Sequence, residues 1–158
     1  MTMPAHSNPG ADLLQAFLQT EYVVLPRADA IAIGIGKCHR ELDHILDHRS
    51  WAVVTACNPG AVAADAKANE RRHQQLLAAI ADAGLDFRPA CNRDPRQQWP
   101  DEPSLLIINA ESDWLVELTR RLGQLALVAG QPGDPAELWL VDGEWNEELP
   151  EYVRRVRA

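Results

Sequence analysis

The chain has 158 residues, of which 46% are hydrophobic and 24% are charged, and its formal net charge is −8. That length suits one domain with a core of its own, and the composition excludes wholesale disorder, a coiled coil and, without an apolar run of roughly 20 residues, a membrane span. The acidic charge disfavours nucleic acid as a partner, because phosphate neutralisation needs clustered Lys and Arg.

The N-terminal third predicts two helices and two extended segments ahead of the central strand. Residues 1–10 do not form a secretory signal, and we expect them to be a disordered tail. Apolar residues at helical spacing predict a helix over residues 11–22, followed by an extended piece at 22–25. Three isoleucines that alternate with small residues predict a strand over residues 30–36, and a short helix over residues 40–49 follows.

The centre of the chain is a near-continuous apolar run from Trp51 to Cys57, the pattern of a strand that is covered on both faces. Asn58, Pro59 and Gly60 end this strand with the strongest turn signal in the sequence. Further elements follow, bounded by capping or turn residues: helix 66–83 with Asp65 as N-cap, strands 85–91 and 104–109, helix 112–122, and a hairpin of strands 124–128 and 137–141.

The order of these elements defines the predicted fold. From Trp51 onward the elements follow the order strand, helix, strand, strand, helix, strand, strand. This order resembles two split β-α-β units. We therefore predict one α/β (α+β) domain over residues 11–141, with a single mixed β-sheet of about five strands and helices packed mainly on one face. The charged segment 142–158 has few apolar anchors, and we expect a loosely docked acidic extension there.

Polar residues continue the inward face of the helix after the turn. Helical steps backward from Ile80 reach His73 and Asn69, with Arg72 beside them. Ligand crevices in open α/β sheets form at this end of a strand. Two interpretations remain open: these residues contact a ligand, or they tie down the Asn58 turn by hydrogen bonds to the backbone.

A second candidate group lies at the entry to the strand over residues 104–109. Glu102 is a candidate general acid or base beside Ser104, with Trp99 as a pocket wall, provided that the pocket raises the pKa of the carboxyl group. The alternative is that Glu102 is solvated or caps backbone donors, while Trp99 covers the edge of the core.

Other residue groups indicate chemistry more weakly. His44 and His48 share one face of a short predicted helix, as zinc ligands do, but no second pair accompanies them, so we predict no metal site. We expect Cys57 to be a buried thiol with a raised pKa, and Cys91 has no base to activate it. Three widely spaced cysteines favour reduced thiols and a cytoplasmic location, and no glycine motif identifies a cofactor.

Four segments together resemble a known family. They are Trp51-Ala-Val-Val-Thr-Ala-Cys-Asn-Pro-Gly60, Ala68-Asn69 with Arg72, Trp99-Pro-Asp-Glu-Pro-Ser104 and Gly123-Gln-Leu-Ala126. Over roughly residues 22–141 the chain is similar to the DUF3293 domain, a family of uncharacterised bacterial proteins, although Cys57 stands where the family often has an aromatic residue. This resemblance supports the extent of the domain but implies no activity. Either a binding site common to the family or hydrogen bonds that stabilise its common fold would explain the polar residues of these segments: Thr55, Asn58, Asn69, Glu102, Ser104 and Gln124.

We expect a domain that binds a small polar or anionic ligand, with Arg72 supplying positive charge, and whether it is an enzyme stays open. The catalytic candidates are Glu102 and His73, and the ligand-binding candidates are Thr55, Asn58, Asn69, Arg72, Ser104 and Gln124. The alternative function is an acidic interaction or regulatory module that docks a basic protein partner through residues 142–151. An apolar patch beside that segment would favour the alternative.

Overall fold

A computed structural model of the protein describes residues 9–24 and 30–157. Most of the predicted tail, residues 1–10, lies outside the described residues, and its last two residues begin the first helix. The described part of the chain forms four α-helices, one short 3-10 helix (Pro59–Ala61) and eight strands: α1 Pro9–Gln19, β1 Glu21–Val24, β2 Ile31–Ile33, α2 Arg40–Ile45, β3 Trp51–Val54, α3 Ala66–Asp82, β4 Phe87–Arg93, β5 Glu102–Ile108, α4 Ser112–Arg121, β6 Ala126–Gly130, β7 Glu137–Leu140 and β8 Val153–Arg155. None of these helices is long and apolar enough to cross a membrane.

All eight strands belong to one mixed sheet with the order β2-β1-β4-β5-β3-β6-β7-β8. The pair β7 and β8 is parallel, and the other neighbouring strands are antiparallel. Because β3 and β4 both pair antiparallel with β5, they run in the same direction with β5 between them. In the same way β5 and β6 run parallel to each other on either side of β3. The two predicted split β-α-β units are therefore present, with α3 and α4 as their connections.

Two features of the predicted architecture are wrong: the sheet has eight strands instead of about five, and helices cover both of its faces. Trp51 and Val53 of β3 share one core cluster with residues of α1 and α2. Ala52 and Val54, which point to the opposite face, share a second cluster with residues of α3 and α4. The predicted count includes only the five strands from Trp51 onward. It omits β8 as well as β1 and β2, which the sequence predicts as extended segments, and their pairing shows that all three belong to the same sheet.

The C-terminal segment packs more firmly than its charged sequence predicts. Val153 is buried in β8, which pairs with β7, while the other two residues of this strand are exposed arginines. Trp145 is also buried, and its ring centroid lies 6.3 Å from that of Phe17 in α1. Parts of the segment 142–158 are therefore integral to the sheet and its core, and the expectation of loose docking is wrong.

The turn between β2 and α2 depends on a neutral histidine. The backbone N–H of Gly34 donates a hydrogen bond to Nε2 of His39 at 3.2 Å, so this nitrogen carries no proton. Burial lowers the pKa of His39 below 6.5, and the charge of Asp43 only partly opposes this shift. The unfolded chain therefore takes up a proton at a higher pH than the folded chain does, and protonation favours unfolding.

We expect His39 to make the protein less stable as the pH falls below 6.5 towards the lower folded-state pKa of this residue. His39→Gln should weaken this dependence, since a glutamine amide oxygen accepts a hydrogen bond but does not titrate in this range. Urea unfolding midpoints of both proteins, measured between about pH 7 and about pH 5, test this. Identical pH slopes for the two proteins would contradict it.

Candidate functional site

Four side chains form a continuous hydrogen-bonded group that joins the turn after β3 to the beginning of β5. Oδ1 of Asn69 accepts from the backbone N–H of Asn58 at 2.9 Å, and Nδ2 of Asn69 donates to Oδ1 of Asn58 at 2.9 Å. Nδ2 of Asn58 donates to Oε2 of Glu102 at 2.8 Å, and Nδ2 of Asn92 donates to Oε1 of Glu102 at 3.3 Å. We call Asn58, Asn69, Asn92 and Glu102 the amide-carboxylate cluster.

The turn conformation positions Asn58. Its φ of 50° lies in the left-handed region, which asparagine tolerates better than most residues. Oδ1 of Asn58 also accepts from the backbone N–H of Ala64 at 3.0 Å, so the side chain spans its own loop. The N–H of Gly60 donates to the carbonyl of Gly123 at 2.8 Å, which ties this loop to the end of α4. The turn is thus fixed from both sides.

Sheet register positions the other half of the cluster. Asn92 of β4 is the pairing partner of Tyr22 in β1 and of Glu102 in β5, so the three residues form a row across neighbouring strands. All three are buried. The hydroxyl of Tyr22 donates to the carbonyl of Phe17 at 2.7 Å, which connects this row to α1.

A small inner cavity adjoins the cluster on the face of the sheet that carries α1. Its volume is about 30 Å³, enough for one or two water-sized groups. Apolar side chains such as Phe17 and Val128 form much of the wall. The polar part of the described lining consists of Tyr22, Thr55, Cys57, Asn58, Asn92, Glu102 and Gln124.

A larger outer groove, of about 380 Å³, shares three lining residues with the inner cavity: Cys57, Asn58 and Glu102. Trp99 and Asp101 are among its other lining residues. The two spaces therefore adjoin at these shared residues, which we call the partition. Among the described residues that line either space, the charged ones are Glu102 and Asp101, and both are acidic.

The loop that carries Trp99 is held by Asp94, a buried carboxylate just after β4. Its Oδ1 accepts from the backbone N–H of Arg96 at 3.0 Å, and its Oδ2 accepts from that of Gln98 at 2.7 Å. Carboxylate bonds to backbone N–H groups are among the stronger hydrogen bonds in proteins. The outer groove therefore has an anchored wall on this side.

Burial keeps two groups that line the inner cavity, the thiol of Cys57 and the phenol of Tyr22, in their protonated forms. Burial raises the pKa of the Cys57 thiol, as predicted from its apolar strand, and the charge of Glu102 raises it further. Burial likewise raises the pKa of the Tyr22 phenol, again with a contribution from Glu102. Both groups are protonated at neutral pH, so Cys57 is a poor nucleophile there.

Thr55 and Gln124 line the inner cavity, but their side chains hold the backbone beside it. Oγ1 of Thr55 donates to the carbonyl of Pro103 at 2.9 Å and accepts from the N–H of Cys57 at 3.1 Å. Nε2 of Gln124 donates to the carbonyl of Cys57 at 2.9 Å. Both predicted site residues therefore fix the position of Cys57 and the strand end next to the cluster.

Three of the predicted site residues, Arg72, His73 and Ser104, line neither the inner cavity nor the outer groove. Arg72 and His73 lie about one turn further along α3 than Asn69, and a turn moves a side chain about 5.4 Å along the helix axis. Nδ1 of His73 and Oγ of Ser104 are buried without a hydrogen-bond partner in the described part of the chain. Neither Arg72 nor His73 therefore forms part of the wall of either space, and His73 does not face Glu102 across one.

Sequence reasoning missed Asn92, Tyr22 and Asp94 as parts of the site. The strand predicted over residues 85–91 ends one residue before Asn92, so the prediction leaves Asn92 outside the sheet. In β4, Ala90 and Asn92 are the two buried residues, two positions apart. This period of two was the available signal for a longer strand.

The predicted pairing of His44 and His48 on one helical face is absent. Helix α2 ends at Ile45, and His48 lies beyond it with a φ of 55°. Within residues 9–24 and 30–157, no group of three or more His, Cys, Asp or Glu side chains is arranged to hold a metal ion.

Comparison with known proteins gives one match. Residues 54–127 match the model of a family described as a protein of unknown function, DUF3293, which confirms the predicted resemblance. The matched segment runs from the last residue of β3 into β6 and contains the whole amide-carboxylate cluster. Neither the curated proteins nor the solved structures gave a match.

Proposed function

We propose that the domain binds a small polar molecule at the amide-carboxylate cluster, and we argue this from the site itself, because the DUF3293 family, whose model residues 54–127 match, has a description that names no activity. The observation that carries this proposal is the position of Asn58 and Glu102 in the partition between the inner cavity and the outer groove. Ligand pockets commonly have volumes of about 300–1,000 Å³, a range that includes the outer groove.

The composition of the two spaces also supports binding. Ligand sites combine apolar and aromatic walls with a few polar groups that orient the ligand. Here Trp99 supplies aromatic surface, and Asn58 and Glu102 supply convergent polar atoms that are already fixed by hydrogen bonds. The proposal concerns binding and not catalysis, because the thiol of Cys57 is protonated and His73 lies outside both spaces.

The expected charge of the ligand changes with this geometry. Arg72 was expected to attract an anion, but Asp101 and Glu102 would repel one. We therefore keep a polar ligand in the proposal and replace the anionic ligand by a neutral or cationic one.

Thermal-shift screening against amines, amino acids, sugars, carboxylates and nucleotides tests the proposal. A ligand at about 100 times its Kd should stabilise the protein by about 2.7 kcal/mol, which raises the Tm of a domain of this size by about 5–10 °C. Trp99→Ala should reduce the shift, whereas the matched control Phe87→Ala, at an exposed aromatic residue outside the groove, should retain it. A flat screen, or equal shifts in both variants, would refute binding at this site.

The alternative of a basic partner docked on residues 142–151 stays a prediction. The exposed large hydrophobic residues in the described part of the chain are Val62 and Phe87, and neither belongs to that segment. Trp145, its largest apolar side chain, is buried against α1. We therefore favour the small-molecule site.

A further inference from the structure

Asn92 presents a buried hydrogen-bond acceptor in the inner cavity. The residue is 7% exposed and lines that cavity. Because its Nδ2 donates to Oε1 of Glu102, the orientation of the amide is determined, and Oδ1 is the atom left over. Within the described residues Oδ1 of Asn92 has no hydrogen-bond partner. Buried acceptors normally have a donor, so this atom favours a ligand that brings an N–H or O–H group.

The charge of the lining selects among such donors. Glu102 borders both spaces and Asp101 borders the outer groove, while no described lining residue of either space is Lys, Arg or His. The protein as a whole carries a net charge of −8. A cation is therefore attracted both at long range and at the site itself.

The size of the inner cavity selects among cations. A volume of about 30 Å³ holds one or two water-sized groups. A primary ammonium group is compact and has three N–H donors, whereas a guanidinium is a broad planar fork. The ammonium group therefore fits the space beside Glu102 and Asn92 better.

We propose that the ligand is a primary amine, bound as its ammonium ion in the inner cavity with its carbon chain in the outer groove against Trp99. This inference rests on the proposed small-molecule site. The ammonium group donates hydrogen bonds to the carboxylate of Glu102 and to Oδ1 of Asn92. At the partition the ammonium group donates to Oε2 of Glu102 in place of Nδ2 of Asn58, which donates to this oxygen in the structure.

Three probes with the same carbon chain test the ligand class: butylammonium, butyramide and butyrate, titrated calorimetrically near neutral pH. We expect butylammonium to bind at least about tenfold more tightly than butyramide, because only the ammonium ion adds the attraction between opposite charges to its hydrogen bond with the carboxylate of Glu102. Butyrate should not bind measurably. The Kd of butylammonium should also rise several-fold between ~20 mM and ~300 mM NaCl.

Two variants connect this selectivity to the carboxylates. Glu102→Gln should weaken butylammonium binding at least about tenfold and weaken butyramide binding clearly less, since the amide removes the charge that only the ammonium ion pairs with and retains an acceptor for Asn58. The matched control Asp82→Asn, at an exposed acidic residue near the end of α3 and outside both spaces, should change neither Kd. If Glu102→Gln fails to fold, the ranking of the three probes on the wild type decides, and binding of butyramide or butyrate as tight as that of butylammonium overturns the inference.

The outcomes separate this inference from the proposed function. If butyramide or butyrate binds as tightly as butylammonium, and Trp99→Ala abolishes that binding, the small-molecule site stands and the amine is overturned. If none of the three probes binds and the broader screen is flat, both proposals fail. Selective binding of butylammonium that is lost in Glu102→Gln establishes the amine as the ligand class.

Discussion

Replacement of Asn58 by alanine is expected to lower the free energy of unfolding by about 3–5 kcal/mol. The Asn58 side chain donates to Glu102 at 2.8 Å and accepts from Ala64 at 3.0 Å and from Asn69 at 2.9 Å. Each lost hydrogen bond costs about 0.5–1.5 kcal/mol, and more where a buried partner is left unsatisfied. Alanine also adopts the left-handed conformation less readily, which adds about 1–2 kcal/mol.

Two comparisons separate these contributions in denaturant unfolding. Asn58→Gly removes the same side chain but tolerates the φ of 50°, so it should be about 1 kcal/mol more stable than Asn58→Ala. A double-mutant cycle with Asn69→Ala should give a coupling energy of about 0.5–3 kcal/mol, because the two amides are in direct contact. A total loss below about 1 kcal/mol for Asn58→Ala would mean that the cluster does not hold the turn.

Replacement of Gly130 by alanine is expected to cost about 3 kcal/mol, although the added group is a single methyl. Gly130 in β6 lies opposite Trp51 in β3, and a Cβ atom there would overlap Cζ2 and Cε2 of the indole and lie 2.8 Å from its Nε1. Trp51 is buried in the core cluster that faces α1 and α2, so the ring has little room to move. The cost arises from packing, since the φ of Gly130 is not positive.

Two controls test whether the indole ring causes this loss. Gly133→Ala should cost only about 1 kcal/mol, because a Cβ there meets no atom within 4 Å and only its φ of 81° is unfavourable. Trp51→Leu should destabilise the wild type more than it destabilises Gly130→Ala, since a smaller side chain relieves the overlap. Strictly additive losses in the double variant would contradict this explanation.

The limits of α3 and α4 could be predicted because their signals are local, whereas α1 and α2 end at Gln19 and Ile45, before their predicted ends at residues 22 and 49. Asp65 accepts from the N–H of Ala68 at 2.8 Å, as expected of the N-cap of α3. Gly84 and Gly123 follow the last turns of α3 and α4 with φ of 66° and 73°, as expected of residues that end a helix. A cap depends on residues three or four positions apart, so the sequence alone contains the necessary information.

The candidate site could be predicted only in part, and the residues show why. Asn58 lies in the turn after β3 and Asn69 near the start of α3, as turn and helix signals predict, whereas Glu102 begins β5 ahead of the predicted start of that strand at residue 104. Asn92 came into the site through its pairing with Glu102 and Tyr22, which lies 70 positions earlier in the chain. No local pattern predicts such a pairing, so the sequence alone could not identify Oδ1 of Asn92 as the acceptor on which the amine inference depends.

The partition between the two spaces shows most clearly which features the sequence determines and which only the tertiary structure decides. By itself, the sequence determined that the strand starting at Trp51 is buried and that Asn58 turns the chain at its end, because apolar runs and turn residues act locally. Only the tertiary structure decided that Glu102 meets Asn58 there and that Arg72 lies outside, because both depend on how distant elements pack. The charge of the site, and with it the class of ligand that we propose, follows from that packing.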